Sequence, residues 1–217
     1  GDYPEKDLEF HAIVPEGSLF EWEMSDKVLM FRGETALSKA ITMKVKPEGF
    51  SSDDVVLYSD RTITAGKTSD KNVALLGTVS RDLMLKEESV TSYIRVDQNN
   101  VYSDGRISHS DYPMMAVSEL DETDLLFFPL LGALQVNLKG DGMTVRCIRL
   151  SGGNSEAVCG TLAVKYDEDD ITTSIVSDAN VGKSINLKCS SPVQLSSTHT
   201  TTFYITLPAG EYSNGFV

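Results

Sequence analysis

The stretch "ALQVNLKGDGMTVRCIRLSGGNSEAVCGTLAVKY" (133–166) decides the fold class. Three runs, 133–140, 143–152 and 157–166, are rich in Val, Leu and Ile and are separated only by turn residues. Successive side chains on a strand point to opposite faces, so such alternating runs read as strand, turn, strand, turn, strand. Gly140-Asp141-Gly142 predicts a short hairpin loop, because its glycines tolerate positive φ. The second turn, "SGGNSE", predicts another hairpin, which sets Cys147 opposite Cys159 if it centres on Gly153. Directly opposed residues have Cβ atoms about 4.5–5.5 Å apart, longer than disulfide geometry prefers. Two neighbouring thiols are therefore favoured over a bridge.

The same chemistry recurs outward in both directions. Strand-like runs lie at 8–14, 27–32, 40–46, 55–59, 73–80, 90–96, 184–189 and 202–207. "PEG", "SSDD", "DQNN" and "SDG" between them are turn chemistry. Helical periodicity is scarce, and its best candidate, "DKVLMF" (26–31), is too short. Eleven short strands without a convincing helix predict β-sandwich architecture. In "PMMAVSELDETDLLF" (113–127) acidic residues interrupt the pattern, which predicts two domains, 1–118 and 119–217. In "LFEWEMSDKVLMF" (19–31), strand alternation puts Phe20, Trp22 and Met24 on one face and makes Trp22 a structural core residue. At the end, "TTTFYITLPAGEYSNGFV" (200–217), Pro208 and Gly210 cannot sit inside a central strand. They separate the strand of Tyr204 from a run starting at Phe216. Either the chain stops short of its final strands, or its last sheet is left open.

Composition excludes several classes. The 217 residues are 41% hydrophobic and 24% charged, ordinary for a folded protein. The net charge of −13 argues against nucleic acid, whose phosphates need clustered Lys and Arg, and against docking on anionic lipid. No apolar run is long enough for a transmembrane helix, and the opening "GDYPEKDLEF" has no hydrophobic signal core. Cys147, Cys159 and Cys189 have no CxxC neighbour, so metal and redox motifs are absent. Gly66-Lys67-Thr68 and Gly182-Lys183-Ser184 lack the upstream glycine of a phosphate loop, with Arg61 and Ser177 in its place. His11, His109 and His199 lie in no metal or nucleophile motif, and the acidic "YDEDD" (166–170) lacks the spacing of a calcium loop. No catalytic, cofactor-binding or metal residue is expected.

Three segments resemble the fimbrillin-like proteins, pilus subunits and surface lipoproteins of Gram-negative anaerobes. "FEWEMSDKVLMF" (20–31) is similar to that family's Trp-x-x-x-Asp-x-aliphatic strand, with Trp22, Asp26, Val28 and Phe31 in the matching places. Residues 112–164 resemble its central stretch, from the "MxA" exit at Met114–Ala116 to the Ala-x-x-Gly return at Ala157–Gly160. Residues 184–216 resemble its ending, with Pro208, Gly210, Tyr212, Gly215 and Phe216 in place. Together they cover about half of the chain, in the family's order. The resemblance implies two transthyretin-like β-sandwich domains in tandem. It implies export to the cell outer membrane, surface exposure, and an N-terminal lipid anchor absent from this chain. It also implies partnership with other pilus or surface subunits, or with host or bacterial surface ligands. In pilus-forming members an arginine-specific protease removes the first strand, and a strand of the next subunit fills the groove. Here the first arginine is Arg32, inside the expected Trp22 strand, so no arginine lies in the opening segment and polymerisation is left open.

The leading expectation is thus a non-enzymatic surface protein for adhesion or pilus assembly, with no cofactor. The alternative is a surface glycan-binding accessory module, which an exposed aromatic platform would favour. A secreted hydrolase would need a cleft with converging polar residues.

Overall fold

The computed structural model describes residues 9–32, 41–59, 71–77, 89–94, 97–100, 106–167 and 170–217. Within them the chain is all-β. The strands are β1 (Glu9–Ile13), β2 (Lys27–Arg32), β3 (Ile41–Val45), β4 (Asp54–Tyr58), β5 (Lys71–Leu76), β6 (Ser89–Ile94), β7 (Asp97–Asn100) and β8 (Met114–Glu119). They continue as β9 (Asp124–Leu126), β10 (Phe128–Pro129), β11 (Gly132–Leu138), β12 (Thr144–Ser151), β13 (Gly160–Asp167), β14 (Asp170–Ile175), β15 (Ser184–Gln194) and β16 (Thr201–Leu207). Each of the eleven strand-like runs overlaps a strand; residues 8, 40, 78–80 and 95–96 of those runs lie outside the described residues. The chain gathers into two compact units. One comprises Gly1–Thr91, Pro113–Leu130 and Val164–Thr172; the other comprises Ser92–Tyr112, Leu131–Ala163 and Thr173–Val217. The division at 118/119 read from the sequence falls within the 113–130 segment of the first unit.

The first unit is built on an eight-stranded sheet of order β10-β8-β5-β2-β3-β4-β1-β9. Strands β2, β3 and β4 form an antiparallel meander, and β1 lies beside β4 in a Greek-key arrangement. The two edge strands, β9 and β10, are separated in sequence only by Phe127. β9 runs parallel to β1, and β10 runs antiparallel to β8. Phe127 N–H donates to the Ile13 carbonyl at 2.9 Å, and Leu130 N–H to the Pro113 carbonyl at 2.9 Å. A single segment, 124–130, therefore reaches from one edge to the other and nearly closes the sheet.

The register places Phe10, Leu57, Val45, Met43, Val28, Leu76 and Met114 on one face, all buried. Phe20, Trp22 and Phe127 are also buried, and both Phe20 and Phe127 meet the indole edge-on, with centroids at 5.1 and 5.3 Å. Such aromatic pairs add to plain burial. Trp22 is core, as its sequence suggests, but it does not lie on a strand. It sits in an irregular segment ahead of β2, and Met24, expected on the same face, is 45% exposed. The segment is held by Trp22 N–H donating to the Ser52 carbonyl at 2.7 Å. Asp26 Oδ2 accepts from Glu23 N–H at 2.7 Å, so the acid of the Trp-x-x-x-Asp pattern ties the turn that delivers the indole.

In the second unit, β11 pairs antiparallel with β16 in a two-stranded sheet, and β12, β15 and β7 form another. This corrects both expected hairpins. β11 and β12 do not pair across Gly140-Asp141-Gly142; that loop carries the chain from one sheet to the other. The connection from β15 to β16 makes the same crossing beside it, with Gly140 N–H bonded to the Ser196 carbonyl at 3.1 Å and Leu195 N–H to Met143 at 2.8 Å. Nor does β12 pair with β13, which lies in a separate sheet of order β14-β13-β6. Cys147 is exposed on β12, Cys159 is buried beside Gly182, and no disulfide joins them. Pro192 falls on β15 beyond its last β7 pairing, at Cys189, and inside the register shift opposite Val145–Cys147, where no ladder donor is required. The terminal run makes a short antiparallel bridge to the end of β12: Ser151 and Val217 exchange two hydrogen bonds of 2.8 Å.

Candidate functional site

The β11–β16 sheet of the second unit is a candidate contact surface. Its register is regular, from Gly132 opposite Leu207 to Leu138 opposite Thr201. Phe203 and Ile205 point inward and are buried, opposite Val136 and Leu134. β16 is hydrogen-bonded to β11 on one side and, among the described residues, to no strand on the other. An unpaired edge presents N–H and C=O groups that can template another strand, and proteins blunt such edges with charge, proline or bulges. The sequence of β16, "TTFYITL", has none of these devices.

The outward face of the same sheet has its own geometry. Gln135 stands opposite Tyr204, and Asn137 opposite Thr202. Asn137 Oδ1 accepts from Gln135 Nε2 at 3.1 Å and from Thr202 Oγ1 at 2.8 Å. Toward the end of the strand, Thr206 is buried, and its hydroxyl donates to the Asp111 carbonyl at 2.7 Å. The 3-10 turn His109–Asp111 thus covers that end, while Gln135 and Asn137 stay exposed and Thr202 and Tyr204 half-exposed.

The groups weighed for chemistry are placed as follows. His11, on β1, lies between two carboxylates of neighbouring strands, Asp54 on β4 and Asp124 on β9, the latter 3.4 Å from Nδ1. The two acids meet opposite ring nitrogens, so the trio does not converge on one point as a metal set would. His199 is bonded within its loop, its Nδ1 2.8 Å from Thr198 Oγ1. Gly182, of the second Gly-Lys pair, exchanges backbone hydrogen bonds with Cys159, and a Cβ on it would overlap the Cys159 sulfur. That glycine has a packing reason. Gly66-Lys67-Thr68 and Glu168-Asp169 of "YDEDD" lie outside the described residues. Burial pushes the Cys159 thiol up, partly offset by a backbone hydrogen bond from Gly182, so it is a poor nucleophile at neutral pH.

That β16 carries neither charge nor proline was legible in the sequence. The Asn137–Thr202 contact was not, because it joins residues 65 apart through a strand pairing that no local signal specifies. Comparison of the chain with protein-family models, curated proteins and solved structures finds no match.

Proposed function

We propose that this protein is a non-enzymatic, fimbrillin-like surface protein that acts in adhesion or pilus assembly by β-strand addition. On this reading its two halves are tandem transthyretin-like sandwiches. The protein is exported and anchored by lipid at the outer membrane, and its partners are other surface subunits. One observation carries the reading: among the described residues no strand pairs with the outer side of β16, whose alternating sequence carries neither charge nor proline. An incoming strand would gain ladder hydrogen bonds there, and alternate side-chain pockets would give selectivity. The resemblance of residues 20–31, 112–164 and 184–216 supports the same conclusion.

The test combines sedimentation velocity with amide hydrogen exchange over a concentration series from micromolar to millimolar. Self-association should slow exchange across 201–207 while leaving the β2–β5 ladder unchanged. A single sedimenting species, with no concentration-dependent protection at 201–207, would remove strand addition between copies of this chain.

A further inference from the structure

We infer that the outward face of the β11–β16 sheet is a binding strip for an uncharged oligosaccharide, with Tyr204 as its platform and Gln135, Asn137 and Thr202 as its hydrogen-bonding groups. It uses the face of the sheet rather than its edge, so it stands independently of strand addition.

The first support is orientation. Both lone pairs of Asn137 Oδ1 are occupied, by Gln135 Nε2 and Thr202 Oγ1. This fixes the amide so that its two Nδ2 hydrogens face away from those neighbours. Gln135, with one hydrogen committed to Asn137, keeps its Oε1 unengaged by any described residue. A fixed donor and a fixed acceptor thus stand side by side, the pattern that vicinal hydroxyls of a pyranose match. Side chains already held in place lose little further freedom when a ligand arrives, which matters for a ligand that water solvates well.

The second support is the ring. Tyr204 lies directly across from Gln135 and is half-exposed. Its π face is electron-rich, so the weakly positive C–H groups on one side of a sugar ring rest on it favourably. Tyrosine also supplies this area at the cost of only two torsions.

The third support is charge. In a chain of net charge −13, neither β11 nor β16 carries an Asp, Glu, Lys or Arg. An anionic polymer would find no cation on the strip, and a basic peptide would find no carboxylate. A neutral polyol fits what is there. The covered end at Thr206 gives the strip a step against which a chain terminus could rest.

The experiment is affinity electrophoresis of the full chain through gels containing laminarin, a mannan or dextran, with polygalacturonate as the anionic control. Retardation by at least one neutral polymer, and none by polygalacturonate, is expected. Tyr204→Ala should abolish it, and Tyr204→Phe should keep most of it. Asn137→Ala should weaken binding roughly three- to tenfold, the worth of about one hydrogen bond. Gln135→Ala and Asn137→Ala alter exposed positions and carry the test should Tyr204→Ala fail to fold. No retardation by any neutral polymer, equal retardation by polygalacturonate, or retardation unchanged in Asn137→Ala and Gln135→Ala would each overturn the inference.

Discussion

The two units solve the same problem in opposite ways. In the first, an eight-stranded sheet ends in β9 and β10, two strand fragments joined through Phe127, and the edges are brought together by the chain itself. In the second, a two-stranded sheet ends in β16, whose outer side no described strand covers. Both are made of similar Val-, Leu- and Thr-rich alternating runs. What separates them is one short connector: residues 124–130 bridge edge to edge in the first unit, and no described segment does so beside β16. Edge availability is therefore a property of connectivity more than of strand composition.

The largest expected effect concerns the closed unit. Trp22→Ala removes the ring against which Phe20 and Phe127 pack, and should destabilise that unit by about 3–5 kcal/mol in chemical denaturation. Near-native stability would mean that closure does not depend on this aromatic contact. A smaller loss is expected in the second unit. Gly182→Ala forces a methyl group into the Cys159 sulfur and should cost about 1–3 kcal/mol. Combining it with Cys159→Ala should recover part of that loss in a double-mutant cycle; strict additivity would place the strain elsewhere.

A weaker effect follows from Asp178, whose carboxyl is held below the ordinary carboxylate range by the Thr161 hydroxyl and then by the Asn180 N–H. Its folded pKa is the lower one, so its contribution is present above the unfolded value and is lost as pH falls through the folded value. Asp178→Asn should therefore be less stable than the parent near neutrality, and the difference should vanish in strong acid. A pH-independent difference would assign the loss to geometry instead. The smallest effect leaves stability untouched: a thiol reagent should label exposed Cys147 in the native protein and buried Cys159 only on unfolding. Equal rates would show that the second unit opens readily around Cys159.

How much of this was readable from the sequence depends on which interactions are local. Alternation located eleven strands. It missed β8, because Met114, Met115 and Ala116 are all buried and produce no period of two. It missed β7, "DQNN", and β14, "DITTSI", whose polar side chains read as turn or loop. β9 and β10 are too short to show a pattern at all. Strand partners were the weakest reading. Glycine-rich loops between alternating runs suggested hairpins, yet Gly140–Gly142, with Gly142 at φ 66, turns the chain between sheets. A local turn signal fixes where the chain bends, and long-range packing decides what the next strand meets. Trp22 illustrates both halves: its burial follows from its apolar bulk, whereas its non-strand backbone depends on Asp26 and Ser52.

The bridging segment 124–130 also has a consequence in time. β1 leaves the ribosome more than a hundred residues before its parallel partner β9, and β5 well before β8, so the eight-stranded sheet cannot be completed until residue 130 has emerged. At roughly 5–20 residues per second, that leaves the early strands waiting several seconds with unpaired edges. Pairing between such distant partners is also intrinsically slow. In a nascent chain arrested before residue 124 the β1–β5 region should be bound by holdase chaperones and cleaved readily by proteases, and in one arrested well past residue 172, the last residue of the first unit, that same region should resist cleavage.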